Sequence, residues 1–322
     1  KTLKIFSVFL FLIVTIKIIS YGVGNLEQVA SVNEKTGTNE GVLNYYNNPD
    51  VYFVVLDGYA NTNILKEHLG FDNYKFDNYL ENKGFYLARN SRSNYVMTSL
   101  SLPTTLNMQY FGEIDSEQNS SKLLNNLLWD NKVMRYFKNR GYKTVNFSSG
   151  WGPTNHNDKA DYNFSYGKGL NDFTITFLQT TLVYPFVKKM ISTGYRDNIL
   201  YSFDKLSKLD AIKDPKFVFS HIVCPHPPYA FDENGGFNNI SKLDNDWTNE
   251  TKNQYVAQLK FVNKKLEIMV DEILTKEKDA VIILQSDHGS AFMGQNKDWS
   301  NPDDKLIKER SLILNAILMK NS

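Results

Sequence analysis

The stretch PDVYFVVLDGYA, residues 49–60, and the stretch VIILQSDHGS, residues 281–290, share one pattern. Each is an apolar run that ends in an acidic residue, Asp57 in the first and Asp287, followed by His288, in the second. A strand that is apolar at consecutive positions is covered on both faces, which is typical of a parallel sheet. Ligands bind beyond the carboxyl ends of such strands. Because Asp and Gly are also common in plain turns, either stretch taken alone could be a simple turn without a function.

The two stretches together predict a metal site. If the strands are parallel neighbours, Asp57, Asp287 and His288 converge on one point at the edge of the sheet. Two carboxylates and an imidazole suit a divalent transition metal, Zn or Mn, better than Ca, which prefers oxygen ligands only.

The rest of the chain alternates apolar strands with helical stretches. The strand candidates are Val51–Leu56, Tyr142–Phe147, Phe217–Ile222 and Val281–Leu284. The clearest helix runs from Thr251 to Leu274, where apolar residues recur every three or four positions. This alternation predicts an α/β domain with a mixed or parallel sheet and helices on both faces.

Composition sets limits on function. The chain has 322 residues, of which 42% are hydrophobic, and its net charge is +1. This length and hydrophobic content suffice for one large domain with a substantial core or for two small ones. The near-neutral charge gives no electrostatic case for a nucleic-acid partner. The single cysteine, Cys224, excludes an internal disulfide and a cysteine-only zinc site.

The N-terminal region predicts a membrane anchor. Ile5–Ile19 is apolar apart from three residues, and its extension to residue 23 approaches the length of about 20 residues that a spanning helix needs. A cleaved signal peptide is the alternative. We expect an anchor over 1–23, a polar linker over 24–48 and a catalytic domain over 49–322, truncated at its C terminus because the last element has no obvious stop. Lys1 and Lys4 favour a cytoplasmic N terminus and an extracytoplasmic domain.

A hydroxyl-rich segment, Arg92–Phe111, carries a second type of candidate. Ser101 and Pro103 predict the start of a helix, with the proline in its first turn. The N terminus of a helix offers free N–H groups to a phosphoryl or sulfuryl group, and a metal-bound Thr or Ser there could attack phosphorus. A capped helix without a catalytic role is the simpler interpretation.

The segment SHIVCPHPPYAF, residues 220–231, follows another strand candidate. His226 lies between two prolines, which stiffen the backbone and fix the direction of the imidazole. Such a histidine could bind substrate phosphate or protonate a leaving group. We interpret His221, inside the strand, as a hydrogen-bonded core histidine and Cys224 as a small buried hydrophobe. His68 and His156 receive no role.

In their order and spacing these motifs resemble the alkaline phosphatase/sulfatase superfamily, in particular its sulfatase-like hydrolases and transferases, including lipoteichoic acid synthases. The resemblance spans roughly residues 49–316. It implies an alkaline-phosphatase-like fold and the metal ligands Asp57, Thr98, Asp287 and His288. It further implies that Thr98 is the nucleophile and that His226 contacts the substrate. Trp151 matches substrate-pocket residues loosely, and Ser101 is the reserve nucleophile.

The departures from true sulfatases indicate phosphate chemistry. Sulfatases carry tandem acidic residues after the first strand, a cysteine-derived nucleophile and an Asn beside the late Asp, whereas this chain has Gly58, Thr98 and His288 at those positions. The resemblance therefore implies one divalent ion, Mn or Zn rather than Mg or Ca. We expect a phosphorylated envelope lipid or glycan as substrate of a membrane-bound hydrolase or transferase. A sulfuric ester hydrolase and a catalytically inactive binding domain are the alternatives.

Overall fold

Seven strands form one sheet in the part of the chain that the structure describes. In this computed structural model, that part comprises residues 48–111, 120–167, 177–178, 180–182, 184–238, 248–292 and 303–320. The strands are β1 (Val51–Leu56), β2 (Tyr86–Leu87), β3 (Lys143–Phe147), β4 (Tyr162–Phe164), β5 (Lys216–Ile222), β6 (Val281–Ser286) and β7 (Asn315–Leu318). They lie side by side in the order β2-β7-β6-β1-β5-β3-β4.

The sheet is mixed and mostly parallel, which confirms this part of the prediction. Strand β1 lies between β5 and β6 and is parallel to both, and β3 is parallel to β5 and β4. Strand β7 runs antiparallel to both of its neighbours, β6 and β2. The four predicted strands are present with small shifts at their ends. Strand β6 continues beyond Leu284 because Gln285 and Ser286, although polar, still pair with Val55 and Leu56.

Nine helices alternate with these strands in the described part of the chain. They are α1 (Thr62–Leu69), α2 (Tyr74–Asn82), α3 (Thr98–Asn107), α4 (Ser120–Trp129), α5 (Lys132–Lys138), α6 (Gly152–Asn155), α7 (Tyr184–Leu206), α8 (Asn249–Lys276) and α9 (Asp304–Ser311). Helix α8 contains the predicted helix and is two residues longer at each end. The hydroxyl of Thr248 caps its first turn by accepting a hydrogen bond from the Thr251 N–H.

The helices cover both faces of the sheet. Successive side chains of β1 point to opposite faces, so Val55 packs in one cluster with Leu102 of α3, whereas Val54 packs in another with Phe203 of α7 and Leu259 of α8. Val54, Val55 and Leu259 are fully buried. Burial of each such side chain contributes about 1.5–3 kcal/mol, so this double burial holds the central strands rigidly.

The strand register places the acidic residues side by side. Leu56, the last residue of β1, pairs with Ile222 of β5 and with Ser286 of β6. The next residues, Asp57 and Asp287, therefore leave the same edge of the sheet on adjacent strands. The N–H of Asp57 donates to the carbonyl of Ile222 at 3.0 Å, which continues the ladder for one more residue.

The predicted anchor, residues 1–23, and residues 24–47 of the predicted linker lie outside the described residues. Among the helices that the structure does describe, none combines the length and the apolar character needed to cross a membrane.

Candidate active site and metal centre

Asp287 is oriented by the backbone around it. Its Oδ1 accepts hydrogen bonds from the N–H groups of Gly58, at 3.1 Å, and His288, at 2.9 Å. Gly58 has φ of 75°, a left-handed conformation that glycine adopts without strain. Glycine after Asp57 therefore lets the chain turn so that its N–H faces the carboxylate of the neighbouring strand. The other oxygen, Oδ2, remains available for a ligand.

His288 lies at the centre of the cluster. Its Nδ1 lies 3.0 Å from the carbonyl of Gly289 and, as donor, fixes the tautomer, so that Nε2 carries the lone pair. Nε2 lies 3.3 Å from Oδ1 of Asp57 and 3.4 Å from Oδ2 of Asp287. Burial lowers the pKa of His288 to about 4, against the opposing effect of Asp287. At neutral pH the imidazole is therefore uncharged and suited to bind a metal.

Thr98 is the first residue of helix α3, and its hydroxyl oxygen lies 3.2 Å from Nε2 of His288. The prediction that the helix begins near Ser101 was wrong, because the helix starts three residues earlier and Pro103 lies inside it. Ser101 is buried within the helix, and its N–H already bonds the carbonyl of Met97. Met97, at the N-cap, provides no side-chain cap, so the positive end of the helix dipole remains directed at this edge.

His226 approaches the cluster from the loop after β5. Its N–H donates to the carbonyl of Asp57 at 3.0 Å, and its Nδ1 lies 2.7 Å from the carbonyl of Pro227. The imidazole ring centres of His226 and His288 are 6.0 Å apart. A ring nitrogen of His226, a ring nitrogen of His288 and a carboxylate oxygen of Asp57 all lie within 4.8 Å of one another. The half-buried His226 can therefore reach a substrate bound at this point.

His221 belongs to the same cluster, which sequence reasoning missed. Its Nδ1 contacts the hydroxyl of Thr154 at 2.9 Å, as expected of a core histidine, but its Nε2 lies 3.5 Å from Oδ2 of Asp57. A ring nitrogen of His221 and one oxygen from each of Asp57 and Asp287 also lie within 4.8 Å of one another. The signal was its place next to last in β5, one strand away from Asp57. Trp151 lies near the site, with its ring edge-on to His221 at 5.7 Å.

Arg310, near the end of α9, is the second residue that sequence reasoning missed. Its Nη2 lies 2.9 Å from Nε2 of His288, and the same guanidinium donates to the carbonyls of Val96 and Gly289. Helix α9 packs so closely here that a Cβ on Gly289 would lie 2.2 Å from the carbonyl oxygen of Glu309. No periodic pattern in the sequence indicates this contact, because it joins segments that are close only in the fold.

The unpartnered atoms of the cluster fit a cation. Oδ1 of Asp57, Oδ2 of Asp287 and Nε2 of His221 are buried and have no hydrogen-bond partner among the described residues. A buried polar atom without a partner costs about 1–3 kcal/mol, so three in one cluster indicate a site built for a ligand. Burial raises the pKa of Asp57, but the positive potential of His226 and contacts with His221 and His288 lower it well below its usual range. An ionised carboxylate is the form that a metal binds.

Comparison with known families identifies the domain. The family model for sulfatases matches residues 49–309, which include every residue of the cluster except Arg310. The chain belongs to the sulfatase family. This confirms the predicted place in the alkaline phosphatase/sulfatase superfamily. No curated protein matches the chain.

Solved structures of phosphoethanolamine transferases share the sulfatase-family fold. The C-terminal periplasmic domain of EptC from Campylobacter jejuni is 15% identical, with a TM-score of 0.52 over 85% of this chain and 80% of that one. The corresponding domain of EptC from Escherichia coli, in complex with Zn, is 14% identical, with a TM-score of 0.54 over 85% and 73%. The soluble domain of lipooligosaccharide phosphoethanolamine transferase A from Neisseria meningitidis is 16% identical, with a TM-score of 0.51 over 84% and 76%. At these identities the likeness establishes the fold.

Proposed function

We propose that the protein is a metal-dependent hydrolase or transferase that acts on a phosphate ester, with Thr98 as its nucleophile. One observation carries the proposal. The Thr98 hydroxyl, at the N terminus of α3, lies 3.2 Å from Nε2 of the neutral His288. Unpartnered oxygens of Asp57 and Asp287 lie 3.3 and 3.4 Å from the same nitrogen. A hydroxyl in this position can be activated and can reach a substrate outside the edge of the sheet.

The residues that would hold one divalent ion are Asp57, Thr98, Asp287 and His288. Two carboxylates, a hydroxyl and an imidazole favour Zn or Mn, and the similar domain from E. coli was solved with Zn. When bound, such an ion would supply Lewis-acid chemistry that lowers the pKa of the Thr98 hydroxyl and offsets negative charge on the phosphoryl oxygens. His221 is a further nitrogen donor in reach of Asp57 and Asp287.

In the proposed reaction, the Thr98 oxygen attacks phosphorus and the bond from phosphorus to the leaving oxygen breaks. The Thr98 proton passes to solvent. His226 can protonate the leaving oxygen, because Nδ1 is held by the carbonyl of Pro227 and Nε2 remains for proton transfer. Water, or a hydroxyl of a polyol acceptor, then attacks the phosphothreonine and restores Thr98. The choice between these acceptors separates a hydrolase from a transferase.

Phosphate is favoured over sulfate because of the residues around the cluster. Position 98 holds Thr where sulfatases have the cysteine that is converted into their nucleophile, and His288 replaces the oxygen ligand that suits Ca. The similar structures described above are phosphoethanolamine transferases, one of which acts on lipooligosaccharide by name. An envelope lipid or glycan that carries a phosphate ester is therefore the proposed substrate class.

We place the protein in the cell membrane with its catalytic domain outside the cytoplasm. The apolar run Ile5–Ile19 and the two lysines near its start support this arrangement. Two of the similar structures are periplasmic domains. In intact cells, added protease should cleave the chain beyond residue 23, and protection of that region would contradict the topology.

The test is metal analysis together with a substrate panel. We expect the purified chain to hold about one Zn or Mn ion and to turn over phosphodiesters faster than aryl sulfates. His288→Ala should lose the metal and the activity, whereas His156→Ala, which changes an exposed histidine paired with Asp158, should keep both. Full metal occupancy in His288→Ala would contradict the assignment.

The sulfuric ester hydrolase remains the second candidate, because the family model that matches residues 49–309 is that of sulfatases. Faster turnover of aryl sulfates than of phosphodiesters would establish it instead. Binding of metal without turnover of either class would favour an inactive binding domain.

A further inference from the structure

We propose that Arg310 is an anion-binding residue of this site, which holds a non-bridging oxygen of the transferred phosphoryl group. The inference rests on the proposed function, because it names the residue that would bind the phosphate. It starts from the position of the guanidinium, which no sequence motif indicates and which lies one residue beyond the match to the sulfatase family.

Two hydrogen bonds hold the guanidinium of Arg310 in place. Its Nε donates to the carbonyl of Val96 at 2.9 Å, and its Nη1 donates to the carbonyl of Gly289 at 3.0 Å. Val96 lies two residues before Thr98, and Gly289 directly follows His288. The guanidinium is thus fixed against both segments that carry the central residues of the site.

A further contact directs the charge into the site. Nη2 lies 2.9 Å from Nε2 of His288, which in turn lies 3.2 Å from the Thr98 hydroxyl oxygen. The guanidinium and the hydroxyl therefore compete for one lone pair. If that lone pair binds a metal, as proposed above, Nη2 no longer bonds His288 but still faces the same point.

Electrostatics decides which acceptor suits this position. A guanidinium stays charged at all physiological pH values, so with a divalent ion on His288 two positive groups would face each other. An anionic oxygen between them removes this repulsion, and phosphate oxygens match the donor geometry of arginine. Asp57 and Asp287, which also act on the Arg310 guanidinium, would be engaged by the metal. The oxygen of a substrate bound at Thr98 would lie beside the same guanidinium.

Arg196 provides the matched control. It also donates to backbone carbonyls, of Ala230, Gly235 and Gly236, and its guanidinium stacks on Phe231 at 4.6 Å. These bonds hold a loop together, and none of them reaches the cluster. A purely structural arginine should behave like Arg196 when it is replaced.

The experiment measures binding of inorganic phosphate to the metal-loaded full chain by calorimetry, with metal content and Tm determined on the same samples. We expect Arg310→Gln to keep its metal and to lose about 10-fold or more in phosphate affinity, the effect of one charge-assisted bond. Arg310→Lys should recover part of the affinity, because it restores the charge but not the fork. Arg196→Gln should lower Tm and leave phosphate affinity unchanged.

Two other results would overturn the inference in distinguishable ways. If Arg310→Gln binds phosphate like the wild type, or if its affinity falls only together with its metal content, Arg310 merely holds the two segments and the proposed function stands. If the metal-loaded wild type binds no phosphate, the proposed function itself fails, and this inference fails with it.

Discussion

The two ends of strand β1 carry polar clusters of opposite character. At the amino end, the ammonium of Lys216 contacts Asp50 closely and lies 3.4 Å from Glu277, which accepts a hydrogen bond from the Tyr52 hydroxyl at 3.0 Å. At the carboxyl end, Asp57 and Asp287 each retain a buried oxygen without a hydrogen-bond partner. One cluster is complete within the described chain, and the other is not.

The difference separates a structural cluster from a binding site. A buried charge is costly unless it is paired, so a cluster in which every member has a partner stabilises only the fold. Three unpartnered atoms at the other end of the same strands destabilise the fold unless a ligand supplies their partners. This chain carries the cost at its candidate metal site, in agreement with the general trade between stability and function.

The largest expected effect concerns the proposed nucleophile at the carboxyl end. Thr98→Ala should lower kcat by about a thousandfold or more, because it removes the group that we propose forms the covalent intermediate. It should also bind metal more weakly. Turnover of a phosphodiester is the measurement, with Thr98→Ser as the variant that restores a hydroxyl.

Ser101→Ala is the control for a hydroxyl of the same helix. Since Ser101 lies buried inside α3 and not at its start, this change should shift stability by about 1 kcal/mol or less and keep activity. Mass spectrometry of a trapped intermediate should find the adduct on Thr98. An adduct on Ser101 would mean that the nucleophile has been misassigned.

At the amino end, Lys216→Met should cost about 3–5 kcal/mol in the free energy of unfolding, because it leaves two carboxylates near one another without their cation. Chemical denaturation is the measurement. Metal affinity should not change, since the two clusters lie at opposite ends of β1. A variant that unfolds normally but loses its metal would show that the ends are coupled.

Metal binding should produce a smaller change in stability, confined to the carboxyl end. At a metal concentration 100 times the Kd, the wild type should gain about 2.7 kcal/mol. Asp287→Asn should gain far less, because an amide is a poor replacement for a charged ligand. Without metal this isosteric variant should be as stable as the wild type or more so, since it removes a buried charge. Marked destabilisation of the metal-free variant would indicate a structural role for Asp287.

The smallest effect is a pH dependence at the amino end. Burial and the neighbouring Asp50 raise the pKa of Glu277 from its usual 4.5 to about 7. Between these values the folded chain holds a proton that the unfolded chain has lost, so this contribution to stability is complete below pH 4.5 and is lost as the pH rises through 7. Unfolding of the wild type and of Glu277→Gln should therefore diverge between pH 5 and 8, with the variant gaining relative stability at the higher pH. Parallel curves would contradict the assignment.

The residues at the carboxyl ends of β1 and β6 could be predicted because they follow apolar runs in the chain. The pattern of Val51–Leu56 predicted a parallel strand covered on both faces, and the structure confirms it. Asp57, Asp287 and His288 were therefore predicted to meet, and a carboxylate oxygen of each aspartate does lie within 3.4 Å of His288 Nε2. The order of residues along the chain is enough to predict a strand, and the residues that follow it, where the strand is a continuous apolar run.

The remaining features depend on contacts between distant segments, which local patterns do not encode. The capping pattern placed the helix start near Ser101, but the fold begins α3 at Thr98, beside His288, 190 residues away in the chain. His221 was interpreted as a core histidine, and its Nδ1 does contact the Thr154 hydroxyl as that interpretation expects. Its Nε2, however, faces Asp57, which follows the neighbouring strand β1. The sequence alone determined four adjacent strands of the sheet, their acidic edge and the family, because strand burial and motif order are local. Tertiary structure alone decided that Arg310 lies beside His288, because this contact exists only once α9 packs against Gly289.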